Sequence, residues 1–289
     1  MGDFYVLYNP LCGNGSGEED AKMLDIALPN IKLFFDMTKI TNYAAFLSGI
    51  SADDYLIVAG GDGTLSRFAN DTAGLEILPE ILYFPIGTGN DFAREFGKQP
   101  YADPFPVTEQ LKNLPTVEVK GKTYHFLNGV GFGLDGYCCE EGDKLRKTSD
   151  QKVNYTAIAI KGLLFHFAPR KATVTVDGQR HTYDKVWIAP TMHGKYYGGG
   201  MMPAPQQDRG NSEKTLSLMV LHGAGRLRTL CALPGIFKGT HVKHKKMVTI
   251  HTGHEINVEF DCPTPLQIDG ETISGVTGYT ARSAQKEGN

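Results

Sequence analysis

Along the first third of the chain, short apolar runs alternate with stretches in which apolar residues recur at helical spacing. Phe4–Tyr8, residues 32–35, the run Tyr55-Leu56-Ile57-Val58-Ala59 and residues 81–84 are continuously or almost continuously apolar, which predicts strands buried on both faces. Residues 18–28, 43–47, 65–70 and 91–96 between and after them carry the helical pattern. This βαβα order predicts a parallel sheet with helices on both faces and ligands at the carboxyl ends of its strands.

Past Tyr101 the texture changes. Pro104 and Pro106 interrupt the chain, and short β-branched runs follow at residues 172–176, 186–188, 216–220, 247–250 and 256–260. Helical segments near 153–167 and 226–237 interrupt them, and the whole predicts a β-sandwich. The expected fold class is α/β plus mainly-β: a doubly wound parallel-sheet domain over residues 1–121 and a β-sandwich domain over 122–289, with the boundary near Gly121. No internal repeat or low-complexity stretch stands out, and residues 284–289 read as a frayed tail.

Composition narrows the classes. The 289 residues are 41% hydrophobic and 21% charged, the balance of an ordinary globular protein. A formal net charge of −3 argues against a nucleic-acid binder held by a global basic field and says nothing about a local basic patch. Five cysteines, an odd number without C-x-x-C spacing, point with the signal-free N-terminus to free thiols in a reducing, cytoplasmic setting. Residues 155–168 are the most apolar segment, but they contain Lys161 and His166 and are too short to span a bilayer.

The candidate chemistry sits after the predicted strands. Gly60-Gly61-Asp62-Gly63-Thr64-Leu65 follows the third one; its glycines let backbone N–H groups approach phosphate oxygens, and the next helix adds a partial positive charge. Asp62 would repel a phosphate, so it either bridges to the nucleotide through Mg²⁺ or simply caps a helix. Asn9-Pro10-Leu11-Cys12-Gly13 opens a similar loop after the first strand, although no Walker lysine follows. Pro85-Ile86-Gly87-Thr88-Gly89-Asn90-Asp91 follows the fourth; Thr88 suits a phosphate or ribose, while Asn90 and Asp91 stand where a helix begins. Gly131-Phe132-Gly133-Leu134-Asp135-Gly136 is a literal G-x-G-x-x-G, but no βαβ unit continues from it. In Asp269-Gly270-Glu271, two carboxylates flank a glycine, either as a plain hairpin turn or as a source of a base for a barely acidic hydroxyl.

Taken together these blocks resemble the diacylglycerol kinase catalytic-domain superfamily, which includes sphingosine kinases and, more distantly, NAD kinases. The resemblance runs from Asn9 to Glu271, nearly the whole chain. It implies an ATP- and Mg²⁺-dependent lipid kinase with its active site in an interdomain cleft. Nucleotide contacts carry over to Asn9, Pro10, Gly13 and Thr38, to Gly60, Gly61, Asp62, Gly63, Thr64, Leu65, Ser66 and Arg67, and to Gly87, Thr88, Asn90 and Asp91. Relatives commonly have Asn-Glu where this chain has Ser66-Arg67, a swap of acid for base. Glu271 is the expected proton acceptor, with Asp269 a rival and Asp62 a third choice.

The resemblance further implies a structural Mg²⁺ in a loop that here reads Gly210-Asn211-Ser212-Glu213-Lys214-Thr215, through the Glu213 carboxylate and the Gly210 and Thr215 carbonyls. Lys214 stands where the family has glycine, beside the would-be ion. The implied partner is a lipid substrate at the membrane surface, reached by transient peripheral contact, with no nucleic acid; relatives often dimerise, which leaves a homodimer open. The basic stretch from Lys238 to Lys246 fits either an anionic membrane or a solvated loop. Two alternatives remain at this stage: an NAD kinase-like enzyme, and a nucleotide-binding regulator without turnover.

Overall fold

The computed structural model describes residues 2–28, 31–148 and 153–284. The chain divides between Leu114 and Pro115 into two units.

In the first unit, β1 (Phe4–Tyr8), β2 (Ile31–Asp36), β3 (Tyr55–Gly60), β4 (Glu80–Pro85) and the short β5 (Phe105–Pro106) form one sheet in the order β2-β1-β3-β4-β5. The first four strands are parallel and β5 runs antiparallel to β4. The continuous apolar runs have the meaning expected of them. Val6, Ile57, Leu82 and Phe84 pack into a cluster with Ala21 and Leu24, while the alternate residues Leu7, Leu56, Val58 and Tyr83 are also fully buried, so both faces are covered. The chain turns back on itself in strand order at β1, with β2 on one side and β3 on the other. The loops leaving β1 and β3 therefore diverge, which is where open α/β sheets hold ligands. The helix expected over 18–28 is interrupted at Met23 into Gly17–Lys22 and Leu24–Ala27.

The second unit is β-rich. Its strands are β6 (Thr116–Val119), β7 (Lys122–His125), β8 (Gly129–Phe132), β9 (Arg170–Val176), β10 (Gln179–Val186), β11 (Thr191–Met192), β12 (Leu216–Leu221), β13 (Val248–Gly253), β14 (Glu255–Ile268) and β15 (Glu271–Arg282). All pair antiparallel, in the order β13-β12-β11-β8-β14-β15-β6-β7, with β9 bridging β14 and β10. The long β14 changes partner along its length: residues 256–260 pair with β9, residues 266–268 with β8, and the register slips in between. Strands that bend and switch partners in this way turn the corners of a sandwich. Val174, Val258, Phe132, Leu266 and Leu218 are among the residues of its core.

The division at Leu114 comes before the boundary expected near Gly121; Lys120 and Gly121, at φ 50° and 72°, form the turn of the β6–β7 hairpin, and β6 already pairs with β15. A helix over Leu134–Thr148 was not anticipated at all. Of the terminal stretch read as a frayed tail, residues 285–289 lie outside the described residues.

Candidate active site

At the carboxyl edge of the parallel sheet, three loops are locked to one another. Gly60 accepts hydrogen bonds from the Ile86 N–H (3.0 Å) and the Tyr83 hydroxyl (3.1 Å). A Cβ on Gly87 would lie 2.2 Å from the Gly61 Cα, and one on Gly60 would strike the Thr64 side chain at 2.3 Å. Gly60 and Gly87 are thus required by the chain's own packing. Gly63 is different: nothing lies within 4 Å of where its Cβ would be. Asn9 joins the β1 loop to the neighbouring helix, donating from Nδ2 to Thr64 Oγ1 (3.2 Å) while its Oδ1 accepts the Leu11 N–H (3.0 Å). Gly13, at φ 60°, completes the turn beside Ser16.

Asp62 lies in the first turn of the helix Asp62–Asp71, whose N-cap residue Gly61 supplies no side-chain bond. Its two carboxylate oxygens accept the backbone N–H groups of Asp91 and Phe92, both at 2.8 Å. Asp62 therefore caps the helix Asp91–Glu95 from across the sheet, and its charge is balanced by two N–H groups and a helix N-terminus. Each oxygen still has lone-pair capacity for a further partner. The buried Asn90, in the left-handed region at φ 48°, ties its loop shut: Oδ1 accepts the Gly87 N–H (3.1 Å) and Nδ2 donates to the Gly87 carbonyl (2.7 Å). Asp91 is buried with Arg94 Nε 3.8 Å away, and Thr88 is exposed.

Not every expected nucleotide contact joins this group. Leu65 is fully buried in the core and Ser66 is nearly so. Arg67 is exposed and pairs with Asp71 one turn along its own helix, Nε to Oδ2 at 3.3 Å. Thr38 donates its N–H and hydroxyl to Asp36 Oδ1 (2.9 and 2.6 Å), the capping arrangement of a short turn.

In the second unit, Asp269 and Gly270, at φ 47° and 97°, form the β14–β15 turn, with Ile268 across from Glu271. The Asp269 carboxylate is committed. It accepts the N–H groups of Leu127 (2.5 Å), Asn128 (2.7 Å) and Gly129 (3.1 Å), anchoring the entry to β8. Asp269, expected as the rival base, is thus placed by the structure in a backbone-anchoring role. Glu271 is exposed at the head of β15.

Asp135 was not among the expected catalytic groups. It sits in the first turn of Leu134–Thr148, accepting the Gly136 N–H (2.9 Å) and the Tyr197 hydroxyl (3.2 Å). Burial pushes its carboxyl up to about 6, with those two bonds opposing the rise, although part of the residue still reaches solvent. The Cys139 thiol, raised to about 12 chiefly by burial, feels the charges of both Asp135 and Glu271, so these carboxylates share a neighbourhood. The one signal in the sequence was the G-x-G-x-x-G around Asp135. Its glycines serve packing: a Cβ at Gly131 would meet Asp135 Oδ2 at 2.0 Å, at Gly133 the Trp187 carbonyl at 2.5 Å, and at Gly136 the Pro265 carbonyl at 2.1 Å.

Of the three groups expected to hold Mg²⁺, one is already engaged within the loop. The Thr215 carbonyl, a presumptive ligand, already accepts N–H groups from Gln207 Nε2 and Asn211 Nδ2, each at 3.1 Å, and the Gly210 N–H is turned to Asp208 Oδ1 (2.9 Å). No group of three or more His, Cys, Asp or Glu among the described residues is arranged to hold a metal. In the basic stretch His241 is buried, with Nε2 2.8 Å from the Pro203 carbonyl, whereas Lys243, Lys245 and Lys246 are exposed beside Arg228. No helix of the described residues is long and apolar enough to cross a membrane.

Against this geometry, residues 3–120 match the diacylglycerol kinase catalytic domain family, and residues 128–283 match the YegS C-terminal NAD kinase beta sandwich-like domain. A diacylglycerol kinase of Mycobacterium tuberculosis (strain H37Rv) is 27% identical over 93% of this chain and 92% of its own. A diacylglycerol kinase of Staphylococcus carnosus (strain TM300) is 26% identical over 92% and 87%. The crystal structure of a diacylglycerol kinase from Bacillus anthracis str. Sterne shares the fold, with a TM-score of 0.61 over 98% of this chain and 94% of that one at 22% identity.

Proposed function

The chain belongs to the family in which a diacylglycerol kinase catalytic domain precedes a YegS-type, NAD kinase-like β-sandwich, and from that premise we propose that it transfers the γ-phosphoryl group of ATP to a hydroxyl of diacylglycerol or a related lipid. The observation that carries this reading is the contact of Gly61 with Gly87, which joins both glycine blocks beside a helix start that no side chain of its N-cap residue closes. Phosphates belong at that start, where first-turn N–H groups and the helix dipole favour an anion, and the open space over Gly63 admits them. Asp62, with a lone pair left on each oxygen, is the residue to hold Mg²⁺, which when bound with ATP neutralises charge on the transferring group. Asn9, Thr64 and Asn90 keep the loops in register, and the exposed Thr88 hydroxyl is available to the nucleotide.

Glu271 is assigned as proton acceptor for the lipid hydroxyl, since Asp269 is engaged by three N–H groups. Asp135, nearby and held partly protonated near neutrality, is suited to hydrogen-bonding the same substrate. The exposed lysines at 243, 245 and 246 favour visits to an anionic membrane surface.

Incubation with γ-labelled ATP and a total lipid extract tests the assignment. Label should enter the organic phase and fall about 10²–10⁴-fold in Glu271→Gln, with ATP binding retained. Label passing to NAD instead, or ATP binding without any labelled product, would overturn it.

A further inference from the structure

We propose that the loop from Gln207 to Thr215 needs no divalent ion, because the side-chain amides of Gln207 and Asn211 already occupy the Thr215 carbonyl that an ion would share and draw the His193 and Asp208 carbonyls into the same cluster. Gln207 Nε2 lies 3.1 Å from the His193 carbonyl, 3.1 Å from that of Thr215 and 3.5 Å from that of Asp208. Asn211 Nδ2 lies 2.6 Å from the Asp208 carbonyl and 3.1 Å from that of Thr215. Carbonyl oxygens can only accept, so both amides must present nitrogen and not oxygen to this cluster. Asn211 Oδ1 faces the opposite kind of partner, accepting the Thr215 N–H at 2.9 Å. Both ends of the Asn211 amide are thus fixed by complementary groups.

A cation could reach the Thr215 carbonyl only by displacing these donors. Mg²⁺ binds oxygen at about 2.0–2.1 Å and Ca²⁺ at about 2.3–2.6 Å, so either would stand against the amide protons now directed at the same carbonyls. The carboxylates of Asp208 and Glu213 in this loop are already matched by two covalently attached cations, Arg209 and Lys214. Arg209 is 9% exposed, and its guanidinium donates to the Leu127 carbonyl (2.5 Å) and to Asn128 Oδ1 (2.9 Å). Lys214 follows in the left-handed region at φ 57°. The His193 ring, beside the cluster, is held well below its usual range by burial first and then by the charges of Arg209 and Lys214. Arg209 also ties this loop to the Leu127–Asn128 segment that Asp269 grips from the other side. A permanent guanidinium and two neutral amides thus hold the loop and the start of β8, where a dissociable ion was expected.

The protein has one tryptophan, Trp187, buried in the second unit, so its fluorescence follows the unfolding of that unit alone. The full chain, stripped with EDTA and free of nucleotide, is melted with and without millimolar Mg²⁺, Ca²⁺ or Mn²⁺. The expected result is one midpoint within about 1 °C under all conditions, and no Mn²⁺ retained on desalting. A structural ion held well below its working concentration would raise the midpoint by about 5 °C or more; such a rise, or one equivalent of retained Mn²⁺, would overturn the proposal. The paired variant Asn211→Asp puts a carboxylate where the amide stood, and should create a midpoint that falls in EDTA and recovers with Mg²⁺ or Ca²⁺. If it fails to fold, the wild-type melts still decide. Neither ATP, lipid nor turnover enters the test, so its outcome is separate from that of the kinase assignment.

Discussion

Asp62 in the first unit and Asp269 in the second carry the same chemistry to different ends. Each is a carboxylate beside glycine in a conspicuous motif, and each turns out to accept backbone N–H groups from a distant segment. Asp62 takes two N–H groups at the start of a helix whose first residues are themselves buried, in a loop cluster that has room for a ligand at Gly63. Asp269 takes three from consecutive residues at the buried start of a strand, Asn128 itself being 3% exposed. The difference teaches that a motif carboxylate is available for chemistry only to the extent that its lone pairs are not already filled. By that measure Asp62, with two N–H partners, keeps more capacity than Asp269, with three.

Asp269→Asn should show the largest effect on folding. Asn tolerates the left-handed turn, so the substitution isolates the carboxylate, and it sets an amide donor against N–H groups that cannot be reached by water. A loss on the order of 3 kcal/mol is expected, read from urea unfolding followed by Trp187 fluorescence. Asp62→Asn weakens one helix cap and should lower first-unit stability by about 1 kcal/mol, read by far-UV circular dichroism, yet it should cost lipid labelling far more than its stability. Equal stability losses in the two variants would break the contrast.

Between these lies Asp135. A carboxyl raised from 3.8 to about 6 favours the folded state only when protonated, so its contribution is present below the ordinary carboxylate value and is lost as pH rises through about 6. Asp135→Asn removes the cost of the buried charge. At pH 7 the variant should be more stable than wild type by about 2 kcal/mol, and the gap should close by pH 4. Trp187 melts across that range provide the check; a gap independent of pH would show that the carboxyl is not held protonated by its surroundings.

The two units were not equally legible. The parallel sheet was, because strands such as β3, buried on both faces, leave uninterrupted apolar runs, and strand order alone then places the loops after β1 and β3 at the ligand edge. The helix Leu134–Thr148 was not, because its buried positions are Leu134, Gly136, Cys138 and Gly142, of which only leucine registers as strongly apolar. Gly142 marks a close approach instead: a Cβ there would meet the Tyr155 ring at 2.7 Å. Gly121 was ambiguous for a related reason, since a glycine that closes a hairpin and one that ends a domain look alike in the chain. The partners of Asp62 and Asp269 are backbone groups, which carry no residue identity to read. Asn211 and Gln207, neutral amides in a loop matched to a metal site, gave no sign of the carbonyls they would face.

The smallest effect belongs to Arg67, and it bears on what the first unit presents to a nucleotide. The guanidinium lies on the solvent face of Asp62–Asp71, paired with Asp71 at 3.3 Å, about half of both side chains exposed. Exposed pairs one turn apart contribute no more than about 0.5 kcal/mol, so Arg67→Ala should leave the unfolding midpoint almost unchanged. If Arg67 reached a phosphate, as its place among the carried-over nucleotide contacts implies, the same substitution would weaken ATP binding at least tenfold and more at low salt, where exposed charges are least screened. The ion pair with Asp71 leads to the opposite expectation. ATP affinity measured by calorimetry should stay within about twofold of wild type at both low and high salt, since an exposed charge that already has a partner on its own helix adds little to a distant anion.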